Sequence, residues 1–199
     1  MIDGVGEVRR ATRADVPRLR AALAQAFFDD PLFAWMFPRE TTRPFHLRRY
    51  FAHRVRVLLA QQQVYTTDGA AAAAMWARPN QWRDPPGAAL RELVALTPAL
   101  GLRLRRSVRA MAEVERRHPR APHWYLAVLG TEPDLQGRGI GSALLAPVLS
   151  ACDRDGIPAY LETARERNVD FYERRGFRVV DSLTLPGGPP VWLMWREPR

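Results

Sequence analysis

Gln136-Gly137-Arg138-Gly139-Ile140-Gly141-Ser142 is the stretch of sequence that decides the fold. It follows an apolar run from Trp124 to Leu129, which predicts a strand, and it opens an apolar-periodic segment, which predicts a helix. A glycine-rich turn between a strand and a helix directs several backbone N–H groups to one point at the positive end of the helix. The sequence therefore predicts an anion site here, most often a site for phosphate.

Three phosphate-binding turns and a tight turn without a ligand compete for this stretch. A P-loop ends in Gly-Lys-Ser/Thr, and the chain contains no lysine. A dinucleotide fingerprint, G-x-G-x-x-G/A, fails because Ser142 or Leu144 stands at its third position, although Glu162 lies about twenty residues on, where a ribose-binding acid is expected. The Q/R-x-x-G-x-G/A turn that holds the pyrophosphate of coenzyme A is matched in full by Gln136, Gly139 and Gly141.

A second motif, Asn168-Val-Asp-Phe-Tyr172-Glu-Arg-Arg-Gly176-Phe177, follows a short predicted strand. The two motifs in this order resemble the GNAT N-acetyltransferase superfamily. The stretch from His123 to Glu173 is especially similar to puromycin N-acetyltransferase and its relatives. The resemblance covers nearly the whole chain, but it is weak between Asp30 and Pro122, where the acceptor substrate would be recognised.

The resemblance implies an α/β (α+β) GNAT fold. This fold has a mixed central sheet of six to seven strands, splayed at the central strand and flanked by helices. We expect one domain over residues 1–199 with a helical insertion at about 85–118. The predicted strands are Val5–Arg10, Gln63–Thr67, Ala71–Ala77, Leu126–Thr131, Ala159–Thr163, Val179–Leu185 and Val191–Arg196. The predicted helices are Asp15–Phe28, a turn of helix or loop at Pro31–Phe37, Thr42–Gln61, Pro85–Thr97, Pro98–Arg117, Gly139–Asp155 and Val169–Arg175.

Composition favours a compact enzyme domain. The formal net charge is +9, and every basic residue apart from histidine is arginine, a bias that a GC-rich genome also produces. No aromatic interleaving or nucleic-acid motif accompanies the arginines, so we expect no nucleic-acid partner. No apolar run reaches the length of a membrane span, and we expect no signal peptide at the start of the chain. The single Cys152 is expected to be buried, and a cytoplasmic monomer or homodimer is the expectation.

The resemblance assigns acetyl-CoA as the cosubstrate and places its contacts. Backbone groups of the central strand would pair with the pantetheine arm, and a backbone N–H near Leu129 or Gly130 would polarise the thioester carbonyl. The predicted coenzyme residues are Leu129, Gly130, Thr131, Gln136, Gly137, Arg138, Gly139, Ile140, Gly141, Ser142 and Asn168. No pattern of His, Cys and carboxylates suggests a metal.

Tyr172 is the predicted acid for the departing thiolate, because a phenol with a pKa of about 10 is a proton donor at neutral pH. Glu162 is the predicted base, with Glu132, His118 and His123 as weaker candidates and a water chain as an alternative. His123 is expected at the surface. No Ser–His or Cys–His pattern indicates an acyl-enzyme, so direct transfer in a ternary complex is expected.

The acceptor pocket is predicted to contain aromatic walls and a carboxylate, which suit a cationic amine of aromatic or nucleoside-like shape. Its predicted members are Phe28, Asp30, Phe33, Trp76 and Tyr125, within a wider set that includes Phe27, Trp35, Phe37 and Trp192. The resulting hypothesis is an N-acetyltransferase for a primary amine of a small molecule: an antibiotic, an aminonucleoside or a metabolite. The alternatives are a protein N-terminal or lysine acetyltransferase, an acyl-CoA sensor without turnover, and a basic nucleic-acid-binding protein.

Overall fold

The structure, a computed structural model, describes residues 6–61, 63–83, 87 and 100–199. Within these residues seven strands form one mixed sheet, in agreement with the predicted fold class. The strands are β1 (Val8–Arg10), β2 (Val64–Thr67), β3 (Ala72–Ala77), β4 (Trp124–Thr131), β5 (Ala159–Thr163), β6 (Arg178–Thr184) and β7 (Pro190–Arg196).

The order of the strands is β1-β2-β3-β4-β5-β7-β6, and only β4 and β5 run parallel. The predicted strand in the alanine-rich segment is confirmed as Ala72–Ala77, and all six of its residues are buried. Alanine favours helix, but small side chains fit a central strand that is covered on both faces. Burial in the sheet therefore outweighs local propensity at this strand.

Six α-helices have both ends among the described residues. They are α1 (Val16–Ala26), α2 (Pro31–Met36), α3 (Arg43–Leu59), α4 (Leu104–Arg117), α5 (Ile140–Asp155) and α6 (Arg167–Glu173). The predicted helix at Pro85–Thr97 lies outside the described residues, apart from Gly87. The helix predicted at Pro98–Arg117 is present as a 3-10 turn at Gly101–Arg103 that leads into α4.

The helices divide between the two faces of the sheet. Helices α1, α2 and α3 pack on one face, which we call the α1 face, against side chains such as Met75 and Val128. Helices α5 and α6 pack on the opposite α5 face, against Trp76, Leu126 and Leu161. Helix α4 adds a third cluster around Tyr160, which is fully buried on β5. The two faces therefore present different side chains of β4 and β5 to different helices.

Candidate active site

The sheet opens between its two parallel strands. The pairing of β4 with β5 ends at Leu126 and Leu161, whereas β4 continues to pair with β3 as far as Thr131 and Ala72. Beyond Leu126, the backbone groups of β4 that face β5 therefore have no strand partner in this split. An extended chain of amides can form hydrogen bonds to such an unpaired edge.

A cleft of about 390 Å³ occupies the split at the carboxyl end of β4. The end of α1, the end of β4, the glycine-rich turn, the start of α5 and α6 form its walls. All of the predicted coenzyme residues except Arg138 line it, as does Tyr172. The structure thus brings the two sequence motifs to one cavity.

The glycine-rich turn places the start of α5 against the cleft. Gly137 and Gly139 have φ values of 78° and 79°, in the left-handed region that glycine adopts without strain, and Gly139 is the N-cap of α5. The N–H of Ala143 donates to the carbonyl of Gly139, so the amides that precede Ala143 in the first turn point out of the helix. A Cβ atom added to either glycine would meet no other group within 4 Å. This arrangement suits a diphosphate.

Gln136 closes the turn onto the strand, because its side-chain Nε2 donates to the carbonyl of Thr131 over 3.0 Å. Arg138 instead extends away from the cleft, where it is exposed and donates to the carbonyl of Asp134. Gln136 therefore attaches the glycine-rich turn to β4, whereas Arg138 is a surface residue.

Helix α6 forms the wall opposite the turn. Asn168 donates from Nδ2 to the hydroxyl of Thr163 on β5, over 3.4 Å, which attaches the start of α6 to the split. Phe171 stands against Gly141, where a Cβ atom would lie 3.3 Å from the phenylalanine ring. The guanidinium of Arg175 covers the ring of Phe171 at 3.5 Å and donates to the hydroxyl of Ser142 on α5. The wall and the helix start are thus held together by side chains that also face the cleft.

Tyr172 lies at the cleft with its ring packed between Phe171 and Phe177. Only 6% of the residue is exposed. Burial raises the pKa of the phenol, which keeps it protonated over a wide pH range. A neutral phenol at this position can donate a proton to an atom in the cleft.

Asp30 also reaches the cleft, but other groups already engage its carboxylate. Its Oδ1 accepts the N–H groups of Leu32 and Phe33 at the start of α2, and its Oδ2 lies 3.6 Å from Nε of Arg165. Burial nevertheless raises the pKa of Asp30. The carboxylate therefore acts as a helix cap paired with a cleft arginine, which leaves it little capacity for a further cation.

The other predicted acceptor residues do not line the cleft. Trp76 is fully buried on the α5 face, whereas Tyr125 lies on the α1 face, so these two residues cannot form one pocket. The pleat of the paired strands accounts for this, since Trp76 pairs with Leu126 and Tyr125 with Ala77. The prediction that Trp76 and Tyr125 belong to one acceptor pocket was therefore wrong.

The aromatic stretch after α1 is mostly core. Phe33 is 7% exposed and packs edge-on against the rings of Phe27 and Tyr50. Phe28 carries the guanidinium of Arg43 at 4.9 Å and lines a separate surface groove. Of this stretch, Phe27 and Asp30 are the members that reach the cleft.

Glu162 follows Leu161, the last residue of β5 that pairs with β4. Its side chain lies on the α1 face of the sheet and does not line the cleft. Its Oε1 lies 3.3 Å from Nδ1 of His118. Glu132, a weaker candidate for the base, is instead paired with Arg18 through both carboxylate oxygens. The expectation that His123 lies at the surface is wrong. It is 2% exposed, because the segment before β4 folds over β5 and packs the ring against Tyr160 and Trp195.

Sequence reasoning missed several residues that line the cleft. The clearest are Phe171, three residues after Asn168 on α6, and Arg175, four residues further on in the turn just beyond the helix. That helical spacing was a usable signal, because residues so spaced share one helix face. Arg165 and Arg167 also line the cleft, but no sequence pattern distinguishes them from the other arginines of the chain.

Two general features of the described residues complete the site. None of the helices seen here has the length and apolar character needed to cross a bilayer. Within the described part of the chain, no group of three or more His, Cys, Asp or Glu side chains is arranged to hold a metal ion.

Comparison with known proteins agrees with the resemblance that the two sequence motifs indicated. The profile of the Acetyltransferase (GNAT) family matches residues 25–177, so the chain belongs to this family. The family uses acetyl-CoA as the acyl donor. An uncharacterized N-acetyltransferase of Schizosaccharomyces pombe is 26% identical over 205 residues, which cover 96% of this chain and 83% of that protein.

Solved structures share the fold along nearly the whole chain. A histone acetyltransferase HPA2 and related acetyltransferase from Corynebacterium glutamicum is 26% identical, with a TM-score of 0.71 over 98% of this chain and 97% of that one. Arylalkylamine N-acetyltransferase 2 from Aedes aegypti has a TM-score of 0.63 at 12% identity, over 97% of this chain and 99% of that one. At that identity the second likeness concerns the fold alone.

Proposed function

We propose that the protein transfers the acetyl group of acetyl-CoA to a primary amine of a small molecule, by direct attack in a ternary complex. The observation that carries the proposal is the cleft itself, in which the unpaired edge of β4, the amides at the start of α5 and the phenol of Tyr172 face one cavity. These are the three groups that an extended thioester with a diphosphate requires.

We propose a definite order of contacts to acetyl-CoA along the cleft. The amides of Ile140 to Ser142 would hold the diphosphate at the positive end of α5. Leu129 to Thr131 would pair with the pantetheine amides through their backbone groups, and Asn168 would border the same arm. Arg167 and Arg175 would supply positive charge for the phosphates, since guanidinium groups form strong hydrogen bonds to phosphate oxygens.

The proposed reaction needs two proton transfers by protein groups. The acceptor ammonium loses a proton to Glu162, and the neutral amine attacks the thioester carbonyl. A C–N bond forms and the C–S bond breaks, with Tyr172 giving its proton to the sulfur. The nitrogen then loses a second proton, and Tyr172 regains the one that it gave to the sulfur. For each amide formed, one proton in total therefore passes to solvent.

The acceptor would approach from the α1 face, where Glu162 and Tyr125 lie beside the last β4–β5 pair. A carboxylate beside aromatic rings suits a cationic amine. We propose an aminonucleoside, another antibiotic or a metabolite amine as the substrate class. Support comes from the similarity of the sequence from His123 to Glu173 to puromycin N-acetyltransferase and its relatives.

The experiment is a panel of amines incubated with acetyl-CoA and read by release of free thiol. The panel contains puromycin, simple arylalkylamines, polyamines and peptides with free N-termini. We expect puromycin or another small amine to exceed the peptides, and preferential acetylation of peptides would contradict the proposed substrate class. Thiol release that no amine stimulates would contradict the proposed transfer.

Tyr172→Phe is the matched variant, because it removes one hydroxyl from the cleft and leaves the ring in place. We expect its turnover to fall about tenfold or more with little change in affinity for acetyl-CoA. Unchanged turnover would remove Tyr172 from the mechanism.

A further inference from the structure

A buried chain of polar groups runs away from Glu162 on the α1 face. Glu162 Oε1 lies 3.3 Å from Nδ1 of His118, and Nε2 of His118 lies 3.0 Å from Nε2 of His123. Nδ1 of His123 lies 2.7 Å from the carbonyl oxygen of Ala121. The two imidazoles are 7% and 2% exposed, so water does not replace these contacts.

The two groups at the ends of this hydrogen-bonded chain determine how many hydrogens its contacts need. A backbone carbonyl and a carboxylate both accept, so each of the three contacts needs one hydrogen from an imidazole or from a protonated carboxyl group. Two neutral imidazoles bring one hydrogen each. The geometry therefore requires one proton more than two neutral histidines and an ionised Glu162 contain.

His118 is the site best suited to that extra proton. The indole of Trp82 is stacked on its ring, with 3.6 Å between ring centroids and 22° between planes, and an aromatic face stabilises a cation. Burial lowers the pKa of His123, which disfavours the charge on that ring. Among the described residues, the contacts therefore favour an imidazolium at His118 beside an ionised Glu162.

Other titratable groups around His118 belong to β4 and β5. The rings of Tyr125 and Tyr160 meet the imidazole edge-on at 4.9 Å and 4.7 Å. Burial, and next the negative charge of Glu162, raises the pKa of both phenols, so they stay neutral. Arg54 on α3 acts on Tyr125, and Asp181 on β6 acts on Tyr160. Neither tyrosine competes with His118 for the proton.

We propose that His118, held by His123, is the positioning residue for Glu162, and that the three side chains store one proton from the acceptor ammonium. This inference rests on the proposed role of Glu162 as the base. When the three hydrogen-bonded side chains share only two hydrogens, they can accept one more. A Glu162 oxygen then receives a proton from the acceptor ammonium. The proton comes to rest on His118, which yields the three-hydrogen state and a neutral amine. Solvent recovers the proton after the product leaves.

The first experiment needs no turnover and is independent of the proposed function. Long-range ¹H–¹⁵N spectra of the labelled full chain distinguish a doubly protonated imidazole from each neutral tautomer. In a titration of the free protein from alkaline to acidic pH, we expect two neutral imidazoles at first, and then a doubly protonated His118 while His123 stays protonated at Nδ1 only. Two neutral imidazoles throughout the titration, or a second proton on His123 instead of His118, would overturn the proposal.

Glu162→Gln is the matched variant for the spectra, because an amide of the same shape donates to Nδ1 of His118. All three contacts are then satisfied with both histidines neutral. We expect this variant to show one doubly protonated imidazole fewer than the wild type at the same pH. A wild-type pattern in Glu162→Gln would overturn the proposal even if the protein acetylates amines.

The second experiment compares pH profiles of kcat/KM with the best acceptor from the amine panel. His118→Gln is expected to lower kcat/KM about tenfold or more and to move the ascending limb, with the KM for acetyl-CoA unchanged. His46→Gln is the control, since His46 stacks on Phe37 outside the site, and it is expected to keep the wild-type profile. A wild-type profile for His118→Gln would overturn the proposal. If His118→Gln does not fold, the spectra of Glu162→Gln decide.

Discussion

Gln136 and Thr131 are joined by a hydrogen bond of 3.0 Å from the side-chain amide to the backbone carbonyl, which ties the glycine-rich turn to the last residue of β4. The two halves of the proposed coenzyme site are therefore fixed to each other by one side chain. We expect Gln136→Leu to raise the Kd for coenzyme A roughly three- to tenfold, the worth of one hydrogen bond. Calorimetry checks this, with Gln25→Leu on the exposed side of α1 as the control. Equal affinities for the two variants would show that the tie has no role in binding.

The two ends of α5 offer a matched pair of glycines. Gly139 and Gly156 have similar left-handed φ values, 79° and 67°, and a Cβ atom added to either would meet no other group within 4 Å. Both Gly139→Glu and Gly156→Glu therefore introduce the same backbone strain. Only Gly139→Glu places a carboxylate at the positive helix end, so we expect it to abolish binding of coenzyme A. Calorimetry should show wild-type affinity for Gly156→Glu, and undiminished binding by Gly139→Glu would refute the anion site.

Arg175 and its neighbour Arg174 differ in their surroundings, which makes them a test of the cleft charge. Arg175 lines the cleft, whereas Arg174 is exposed. We expect Arg175→Gln to weaken coenzyme A binding and to flatten its dependence on salt, because one attraction to phosphate is removed. Arg174→Gln should behave as the wild type in the same titrations at two salt concentrations. A wild-type salt dependence in Arg175→Gln would exclude a phosphate contact.

The raised pKa of Tyr172 has a consequence for the alkaline side of the pH profile. Burial favours the neutral phenol, so deprotonation occurs above its ordinary pKa of about 10. We therefore expect kcat to hold its plateau up to about pH 10. Steady-state rates across the alkaline range test this. A descending limb at lower pH that disappears in Tyr172→Phe would contradict it.

Cys152 is fully buried in α5, and burial raises its pKa to about 12. The thiolate is the reactive species, so the folded protein should resist alkylation. We expect no reaction with iodoacetamide in native buffer and one equivalent in denaturant, counted by mass spectrometry. Stoichiometric labelling of the native protein would contradict the packing of α5. The same protection keeps the protein thiol out of an assay that measures released coenzyme A.

Local sequence determined the parts of the site that depend on backbone shape. The spacing of Gln136, Gly139 and Gly141 predicted a turn that the structure contains, because left-handed φ values and a helix start are properties of neighbouring residues. Asn168 and Tyr172 were found from a motif of the same kind. The strand at Ala72–Ala77 was expected from the family, since local propensity alone favours a helix there.

Long-range packing decided what the sequence did not predict. His118 lies 44 residues from Glu162, and the burial of the histidine pair depends on how the segment before β4 crosses β5. Trp76 was assigned to the pocket because it is large and aromatic, but it lies on the same side of β3 as Ala72 and Ala74 and meets the α5 face. Such facts follow from register, which composition and spacing do not specify.

The unpaired edge of β4 is made of peptide groups, which every amino acid carries. Replacement of the side chains at Leu129 or Thr131 leaves that edge unchanged. Under the proposed function, substitutions on the α1 face can therefore alter which amine is accepted, while this edge keeps its contacts with the acyl donor.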